Sequence, residues 1–509
     1  MPPWAEISIL FVVLLVIPVC VLTMSAPAVL IDLLNRTSIG TLALITSLSI
    51  VDFICALDMS RWKSPPGSKP DEKSSLLMGK VLDEDVEVGG KPEDIRLSVV
   101  IPCYLPNEVD IIENTIDQLM YRMDYDADYQ VVVVYNYTPS EELKTEVQQL
   151  EYRLKSREKV VKVGSSEREL VVKRCNTSSS KAENVNYGVG LSSGNVVGIL
   201  DADHLPMSNS LSEVARLWTP ETCALQGSSF VRNQDRNMLT RIVSIEEGLV
   251  YNVHHCGGSF WRGFGVFGGS NGFWRKSYLS QLLFDKDMLT EDIDVSLRAL
   301  LLGGIIRHEP SVLSSELVPE TVHDLWRQRL RWAQGWFQCS YKHFGGLMRS
   351  RKTSLQQKLG VTVMFLMREV WYYLMPTSIV ITAATALRRY LEVDGKSTLH
   401  VHEGTVSNVI FLMFIITFSV ELLYSYATIP RQQRLSYPWI LLGIVCFIPF
   451  VFFLVLAGIT GQFREMYGCQ KWDITTRPGE TSSHDLKYLD KTRASKNQFC
   501  TVAVDDPEQ

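Results

Sequence analysis

Three clusters of polar residues in this chain have the types and spacings that suit chemistry on a phosphorylated substrate. The first is LDADHLP, in which Asp201 and Asp203 lie two residues apart at the end of an apolar run. Side chains alternate along a strand, so these carboxylates point the same way and converge on one divalent cation. Oxygen ligands with open positions for phosphate favour Mg²⁺ or Mn²⁺. A solvated turn before Pro206 is the alternative.

The second cluster is LTEDIDVSLRALLLGG, where Glu291, Asp292 and Asp294 precede a predicted amphipathic helix, Val295 to Leu302. A carboxylate at the corner between a strand and a helix, facing a metal site, is well placed to take a proton from an attacking hydroxyl. The alternative is that the acids cap the helix and favour its dipole, a role we expect for Asp294 or Thr290.

The third cluster is QRLRWAQGW, from Gln328 to Trp336. In a helix, Gln328, Arg331 and Trp332 share one face because they are spaced i, i+3, i+4. Such a face can hold a diphosphate with the amide and the guanidinium and offer the indole to a sugar ring. An interfacial helix whose side chains meet lipid headgroups is the alternative. That alternative suits Trp326, Arg327, Arg329 and Trp336.

Strands alternating with helices are predicted to position these clusters. Buried strands are indicated by RLSVVIPCY, YQVVVVYNY and SGNVVGILDAD, and helices by NEVDIIENTIDQLMYRM and SEELKTEVQQLEYRLKS. This alternation predicts an α/β domain with a doubly wound, mostly parallel sheet. Ligands bind such sheets at the carboxyl ends of the strands, where the polar clusters fall.

Long apolar runs flank this domain. Five candidate membrane spans are Ile7 to Ile31, Ile39 to Leu57, about Trp371 to Leu387, Val406 to Ile429, and Trp439 to Ile459. A cleaved signal peptide is the alternative for the first run, which lacks a basic start. The ten cysteines form no zinc or disulfide pattern, and the net charge of −6 gives no reason to expect a nucleic-acid partner.

The expected organisation is therefore a multi-pass protein of the cell membrane with a cytosolic catalytic domain. We predict two transmembrane helices in residues 1–58, a linker in 59–95, the α/β domain in 96–346, interfacial and transmembrane helices in 347–462, and a tail in 463–509. Arg431 and Arg434 lie in the short loop between the last two spans, on the same predicted side of the membrane as the α/β domain. Because basic residues are enriched in cytosolic loops, they favour a cytosolic position for that domain. Three spans after the domain would move the tail to the other side, although KWDITTRPGE is typical of the cytosol, so one span is re-entrant or miscounted. We expect Trp472 to Arg477 to gate a channel and the chain beyond Thr481 to be disordered.

The ordered set SVVIPCYLPNE, KAENVN, DADHLP, GGSNGFWR, TEDIDVSLR and QRLRW, between membrane spans, resembles the membrane-embedded processive glycosyltransferases of family 2. These are the cellulose, hyaluronan, chitin and poly-N-acetylglucosamine synthases. The resemblance covers about Leu97 to Gln334. It implies a GT-A domain that uses a UDP-sugar and Mn²⁺ or Mg²⁺, inverts the anomeric centre, and feeds a growing polysaccharide through the lipid bilayer.

The resemblance also implies roles for individual residues. Asp203 would coordinate the metal, with Asp201 touching metal or nucleotide, and Asp292 would be the general base, with Glu291 beside it. Trp332 would stack on the acceptor's terminal sugar. The implied nucleotide-sugar pocket contains Tyr104, Glu108, Lys181, Asp201, His204, Gln328 and Arg331. The loop implied to lie beside the acceptor contains Gly269, Ser270 and Asn271.

One position departs from the family. The second strand commonly ends in an acidic DDGS-like stretch, whereas here it reads VVVVYNYTPS, so Asn136 replaces an acid as the hydrogen-bonding partner of the base. UDP is the expected nucleotide and GDP the alternative. We expect a β-glucan or another neutral β-linked polymer, with a hyaluronan or N-acetylglucosamine polymer as the alternative. Two other hypotheses are an enzyme that adds one sugar to a lipid, and a transporter or scaffold with a decayed transferase domain.

Overall fold

The computed structural model describes residues 3–61, 95–138, 144–391, 405–430 and 434–469. Most of the predicted linker and the predicted gating segment Trp472 to Arg477 lie outside these ranges. The N-terminal helices are α1 Pro3–Phe11, α2 Ile17–Ser25 and α3 Ala28–Arg61, and a π-helical turn, Val12–Val16, joins the first two.

The N-terminal helices break at a different place from the one expected. Ala26 is extended, with ψ 135°, because the ring of Pro27 disfavours a helical residue before it. This break divides the predicted first span, Ile7 to Ile31. The helix that carries the second predicted span is α3, and it begins at Ala28 instead of near Ile39. Within the described ranges, Ser8–Ser25 and Val29–Leu57 are long and apolar enough to cross a bilayer by length and composition.

In the described part of the central domain, nine strands form one sheet. They are β1 Leu97–Tyr104, β2 Tyr129–Asn136, β3 Lys159–Val163, β4 Ser166–Arg174, β5 Val196–Ile199, β6 Leu205–Pro206, β7 Ala224–Val231, β8 Gly272–Arg275 and β9 Ile306–Glu316. Its helices are α4 Ile112–Tyr121, α5 Thr145–Ser156, α6 Lys181–Leu191, α7 Ser210–Leu217, α8 Met238–Leu249, α9 Cys256–Arg262, α10 Lys276–Leu282 and α11 Glu291–Leu301. A π-helical turn, Val250–His255, joins α8 to α9.

The sheet has the order β3-β4-β2-β1-β5-β8-β7-β9-β6. The predicted strands β1, β2 and β5 are parallel, and β4, which the sequence analysis did not identify, pairs parallel to β2. The prediction of a mostly parallel sheet is wrong at both ends. Strand β3 runs antiparallel to β4, β8 runs antiparallel to both β5 and β7, and β6 runs antiparallel to β9, while β7 and β9 are parallel. The result is a mixed, GT-A-like sheet.

Apolar residues on both sides of the sheet explain why helices cover both faces. On β1, Val99 and Ile101 join one buried cluster, which includes residues of α4, α5 and α7. The alternate residue Val100 joins a second cluster, which includes residues of α6, α10 and α11. Successive strand side chains point to opposite faces, so one apolar run supplies both layers. This confirms the α/β class.

Four long helices follow the domain. They are α12 Val322–Arg349, α13 Leu355–Leu391, α14 Thr405–Thr428 and α15 Tyr437–Met466. The three later predicted spans fall on α13, α14 and α15, and their crossing of a membrane stays a prediction. A Cβ on Gly461 of α15 would lie 2.8 Å from the backbone nitrogen of Gln334, so α15 packs directly on α12.

The N-terminal helix α3 is joined to the domain at Asp52, the acid that interrupts its apolar run. One oxygen of Asp52 lies 3.1 Å from His254 Nδ1, and the other accepts a 2.7 Å hydrogen bond from Trp261 Nε1. A Cβ on Gly257 would lie 1.7 Å from the Asp52 carbonyl oxygen, so only glycine permits this approach. Helix α3 and α9 therefore form one packed unit.

Candidate functional site

The two carboxylates of the first cluster meet at the carboxyl end of β5, as predicted. Asp201, Asp203 and His204 each offer one ligand atom, and these atoms all lie within 4.8 Å of one another. Asp203 and His204 are buried, and Asp201 is partly exposed. His204 Nδ1 lies 3.0 Å from Ser314 Oγ on β9, which fixes the ring. Two carboxylates and an imidazole are a donor set that fits a divalent metal ion, and the two carboxylates alone suit Mn²⁺ or Mg²⁺.

Lys181 connects this cluster to the glycine-rich loop. It is the first residue of α6, whose N-cap Ser180 accepts a hydrogen bond from Glu183 N. Its ammonium nitrogen lies 2.5 Å from Asp201 Oδ1 and donates a 2.8 Å hydrogen bond to the Gly269 carbonyl. Burial lowers the pKa of Lys181, but the nearby carboxylates, Asp201 first among them, outweigh burial and raise it. The side chain is therefore cationic at neutral pH.

The GGSNG loop holds an unusual backbone conformation. Gly269 has φ 86°, and Asn271 has φ 49°, which is rare outside glycine. The Asn271 amide donates 3.0 Å hydrogen bonds to the carbonyls of Ser228 and Val312, and Ser270 Oγ accepts from Asp201 N at 2.9 Å. These bonds hold the loop against the first cluster, Asp201, Asp203 and His204. Contact of Gly269, Ser270 and Asn271 with an acceptor stays a prediction.

The acids of the second cluster lie inside the first turn of α11, because this helix begins at Glu291 and not at Val295. A Cβ on Gly269 would lie 3.0 Å from Asp292 Oδ2, so the loop passes close to this carboxylate. Burial and the neighbouring Glu291 raise the pKa of Asp292 to about 7, although Lys181 and Arg331 oppose the shift. A carboxylate with this pKa is well matched to proton transfer near neutral pH.

The expected capping role of Asp294 or Thr290 is wrong. Thr290 occupies the N-cap position of α11 but makes no side-chain capping bond. Asp294 is fully buried and binds Arg298 Nε at 2.6 Å and His343 Nε2 at 2.8 Å. Because His343 belongs to α12, Asp294 ties α11 to the helix that carries the third cluster.

Helix α12 packs closely on the second cluster. A Cβ on Gly335 would lie 2.6 to 2.8 Å from three atoms of Thr290, including its backbone nitrogen. Arg331 Nη1 donates a 3.1 Å hydrogen bond to the Leu289 carbonyl. Gln328, Arg331 and Trp332 are all partly exposed. The face of α12 that carries these three residues thus lies beside the second cluster, which includes Asp292.

The interfacial alternative is wrong for two residues of α12. Trp326 is 1% exposed and packs edge-on against Phe453 of α15 at 5.5 Å between ring centroids. Arg329 is 7% exposed and forms ion pairs with Glu246 at 2.7 Å and Glu247 at 3.0 Å. Neither side chain is available to lipid headgroups.

Comparison with known proteins identifies the family of this chain. Residues 98–278 match the profile of Glycosyl transferase family 2, and residues 196–457, just over half of the 509 residues, match that of Glycosyl transferase family group 2. The chain belongs to this family. It is a glycosyltransferase, and its resemblance to the polysaccharide synthases of family 2 is confirmed.

Two poly-beta-1,6-N-acetyl-D-glucosamine synthases are similar to this glycosyltransferase. That of Staphylococcus epidermidis is 32% identical over 178 residues, covering 34% of this chain and 43% of the relative. That of Staphylococcus aureus strain MSSA476 is 27% identical over 265 residues, covering 51% and 59%. The chain spans about half the length of the curated relatives it matches. A mannosyltransferase from Pyrobaculum calidifontis, solved with GDP-Man and Mn²⁺, is 18% identical, with a TM-score of 0.47 over 86% of this chain and 99% of that one.

The predicted base-binding residues of the glycosyltransferase lie along the same edge of the sheet. Tyr104 and Asn136 are register partners at the ends of β1 and β2, and Glu108 is buried just beyond β1. The Asn136 amide donates to the Ser178 carbonyl at 3.0 Å, and its oxygen accepts from Asn184 at 2.8 Å. Asn136 thus holds the chain before α6 in place, and its contact with a base stays a prediction.

Several residues around the site of the glycosyltransferase carry no recognisable signal in the sequence. A Cβ on Gly268 would lie 3.3 Å from the hydroxyl of Tyr251, which is in the π-helical turn. His308 lies beside Tyr251 with its ring centroid 6.5 Å away, and burial lowers the pKa of His308 to about 3. The phenol of Tyr251 thus lies against the glycine loop, and the neutral imidazole of His308 lies beside the phenol. Both residues are isolated in sequence, so no motif pointed to them.

Proposed function

We propose that this glycosyltransferase is a processive, inverting enzyme that polymerises a β-linked polysaccharide of N-acetylglucosamine from a UDP-sugar. The observation that carries the proposal is the meeting of Lys181 with Asp201 and Gly269, beside Asp292. A cation, a candidate metal cluster and a candidate base thus converge at one point. The similarity to two poly-beta-1,6-N-acetyl-D-glucosamine synthases favours an N-acetylglucosamine polymer over the expected β-glucan.

The donor diphosphate would lie between the metal cluster and α12. Asp201 and Asp203, with His204 beside them, would hold Mn²⁺ or Mg²⁺, which neutralises charge on the diphosphate. Lys181, Gln328 and Arg331 would donate hydrogen bonds to the same phosphates, as a cationic site does for a departing anion. Tyr104, Glu108 and Asn136 would line the pocket for the base.

The acceptor would approach from the side of the GGSNG loop, with its terminal sugar on Trp332. Asp292 would remove the proton of the attacking hydroxyl and keep it on its carboxylate. The hydroxyl oxygen would bond to the anomeric carbon as the bond to the UDP oxygen breaks on the opposite face, which inverts the centre. UDP leaves without protonation, so one base suffices, whereas a glycoside hydrolase needs a second carboxyl group across the bond.

The membrane part of the proposal follows the apolar helices. The candidate span Ser8–Ser25, which runs from α1 to the end of α2, and the span on α3, followed by spans on α13, α14 and α15, would give a multi-pass protein of the cell membrane with a cytosolic domain at about residues 96–346. Translocation of the polymer would follow from a site that opens towards these helices. An enzyme that adds a single sugar to a lipid is the second candidate, since a hydroxyl on a membrane lipid can reach the same site.

Radiolabel incorporation by the purified protein in nanodiscs tests the proposal. UDP-N-acetylglucosamine, UDP-glucose, UDP-glucuronate and GDP-mannose are offered singly and in pairs with Mn²⁺ or Mg²⁺, and Asp292→Asn protein is the control. A high-molecular-weight product from UDP-N-acetylglucosamine alone is expected. Short, lipid-extractable products would refute processivity, and a product from GDP-mannose alone would refute the choice of nucleotide.

A further inference from the structure

Arg329 is the one residue of QRLRW whose charge is buried among acids of another helix. Its Nη2 lies 2.7 Å from Glu246 Oε2 and 3.0 Å from Glu247 Oε1, both near the end of α8. Consecutive residues on a helix point about 100° apart. One guanidinium nitrogen that reaches both must lie between them, so Arg329 fixes the position of α12 along α8.

The same guanidinium also contacts the indole of the motif. Its central carbon lies 4.3 Å from the ring centroid of Trp332, three residues further along α12. The guanidinium thus contacts the two glutamates of α8 and the indole of Trp332 at the same time. Arg331 has a different task, since its Nη1 binds the Leu289 carbonyl beside the second acidic cluster.

We infer that Arg329 is a positioning residue, which Glu246 and Glu247 anchor so that its guanidinium sets the plane of the Trp332 ring for the acceptor sugar. This inference rests on the proposed role of Trp332 as the acceptor platform. It separates the two arginines of the motif by function: Arg331 serves the leaving diphosphate and Arg329 serves the acceptor.

The charges of this group are compatible with a fixed arrangement. Burial raises the pKa of Glu246 and Glu247, that of Glu247 to about 8, although Arg329 opposes both shifts. The pair thus does not carry two full negative charges at neutral pH. Removal of the guanidinium alone leaves acids without their cation, which destabilises a buried site, so a charge-matched variant is needed as well.

The test uses the full-length protein labelled with 5-fluorotryptophan, with the Trp332 ¹⁹F resonance assigned from Trp332→Phe. In Arg329→Met, we expect this resonance to move because the cation–π contact that holds the Trp332 ring is lost. We expect the mean product length to fall about tenfold, because the chain is released faster from an acceptor platform that is no longer held in position. The UDP dissociation constant with Mn²⁺, measured by calorimetry, should stay within about twofold, since Arg329 does not serve the diphosphate. Arg349→Met, an exposed position on the same helix, is the matched control.

The triple variant Arg329→Met/Glu246→Gln/Glu247→Gln separates positioning from stability. It should recover the melting temperature but neither the Trp332 resonance nor the product length. Recovery of product length in the triple variant, or a loss of UDP affinity in Arg329→Met, would overturn the inference. An unmoved Trp332 resonance in Arg329→Met overturns it independently of activity, whereas absence of polymer from the wild type overturns the proposed function instead.

Discussion

The contact between Gly335 and Thr290 gives the sharpest test of how the site is assembled. An added Cβ at Gly335 would lie 2.6 Å from Thr290 Cγ2, 2.7 Å from its Oγ1 and 2.8 Å from its backbone nitrogen. The threonine side chain can rotate, but the backbone nitrogen cannot. The approach to that nitrogen is about 0.6 Å short of the 3.4 Å at which ordinary contact begins, so α12 and the start of α11 must separate.

This separation would act directly on the chemistry. Thr290 precedes Glu291 and Asp292, whereas Gly335 lies on the helix that carries Arg331 and Trp332. A misplacement approaching 1 Å costs up to about 100-fold in rate, and overpacking of this kind costs about 1–3 kcal/mol of stability. We expect Gly335→Ala to lower UDP release from the donor about 10- to 100-fold.

Gly346→Ala is the matched control because it makes the same change on the same helix. The nearest atom to its added Cβ is Leu301 Cδ2 at 3.9 Å, so nothing has to move. Alanine favours a helix over glycine by up to about 1 kcal/mol, so this variant should be at least as stable as the wild type and equally active. Initial rates of UDP release and melting curves measure both. A Gly335→Ala enzyme with wild-type rate and melting temperature would refute the account of how α11 and α12 meet.

Four further outcomes follow from the site and its connection to α3. Asp292→Asn should lower UDP release about 10²- to 10⁴-fold without weakening UDP binding in calorimetry, because only proton removal is lost. Since Asp292 must be ionised to accept a proton, the rate should rise as pH passes about 7, and Lys181→Met should move this midpoint upward, because Lys181 lowers the pKa of Asp292. Asp203→Asn should abolish the Mn²⁺-dependent part of UDP binding. Titration of this variant with UDP should therefore give the same affinity with and without EDTA. Asp52→Leu should cost about 0.5–1.5 kcal/mol of stability for each hydrogen bond lost to the partly buried His254 and Trp261, and an unchanged denaturation midpoint would contradict that role.

The sequence predicted β1, β2 and β5 because these strands are continuous apolar runs, whereas β4, SERELVVKR, alternates buried and exposed residues and was not identified. Strands β1 and β2 are buried on both faces, and such runs are distinctive. Strand β7, ALQGSSFV, is equally buried but carries Gln226, Ser228 and Ser229, whose partners lie elsewhere in the chain. Because those partners cannot be recognised from the sequence, the polar residues of β7 prevented its prediction as a buried strand.

The candidate site was predicted in its residue types but not in its connections. The spacing of Asp201 and Asp203 was enough to predict that they meet, but the reason given was wrong. Strand β5 ends at Ile199, and both acids lie in the turn that follows it, where His204 N donates to the Asp201 carbonyl at 3.0 Å. The burial of Arg329 was not predictable, since its partner Glu246 is 83 residues away. The start of α11 was placed too late because acids in a first turn look like residues that precede a helix.

The packing of α3 on α9 determines which parts of this chain can be separated. A fragment that began at Leu97 would keep the sheet and all three polar clusters, yet it would lay bare the glycine surface at Gly257 and leave the donors of His254 and Trp261 facing the gap left by Asp52. An unrelated hydrophobic anchor fused in place of α3 would supply neither the carboxylate nor the close backbone contact. Helix α3 thus belongs to the folding unit of the enzyme and cannot be replaced by an arbitrary apolar helix. A replacement would have to retain Asp52 and the backbone around it.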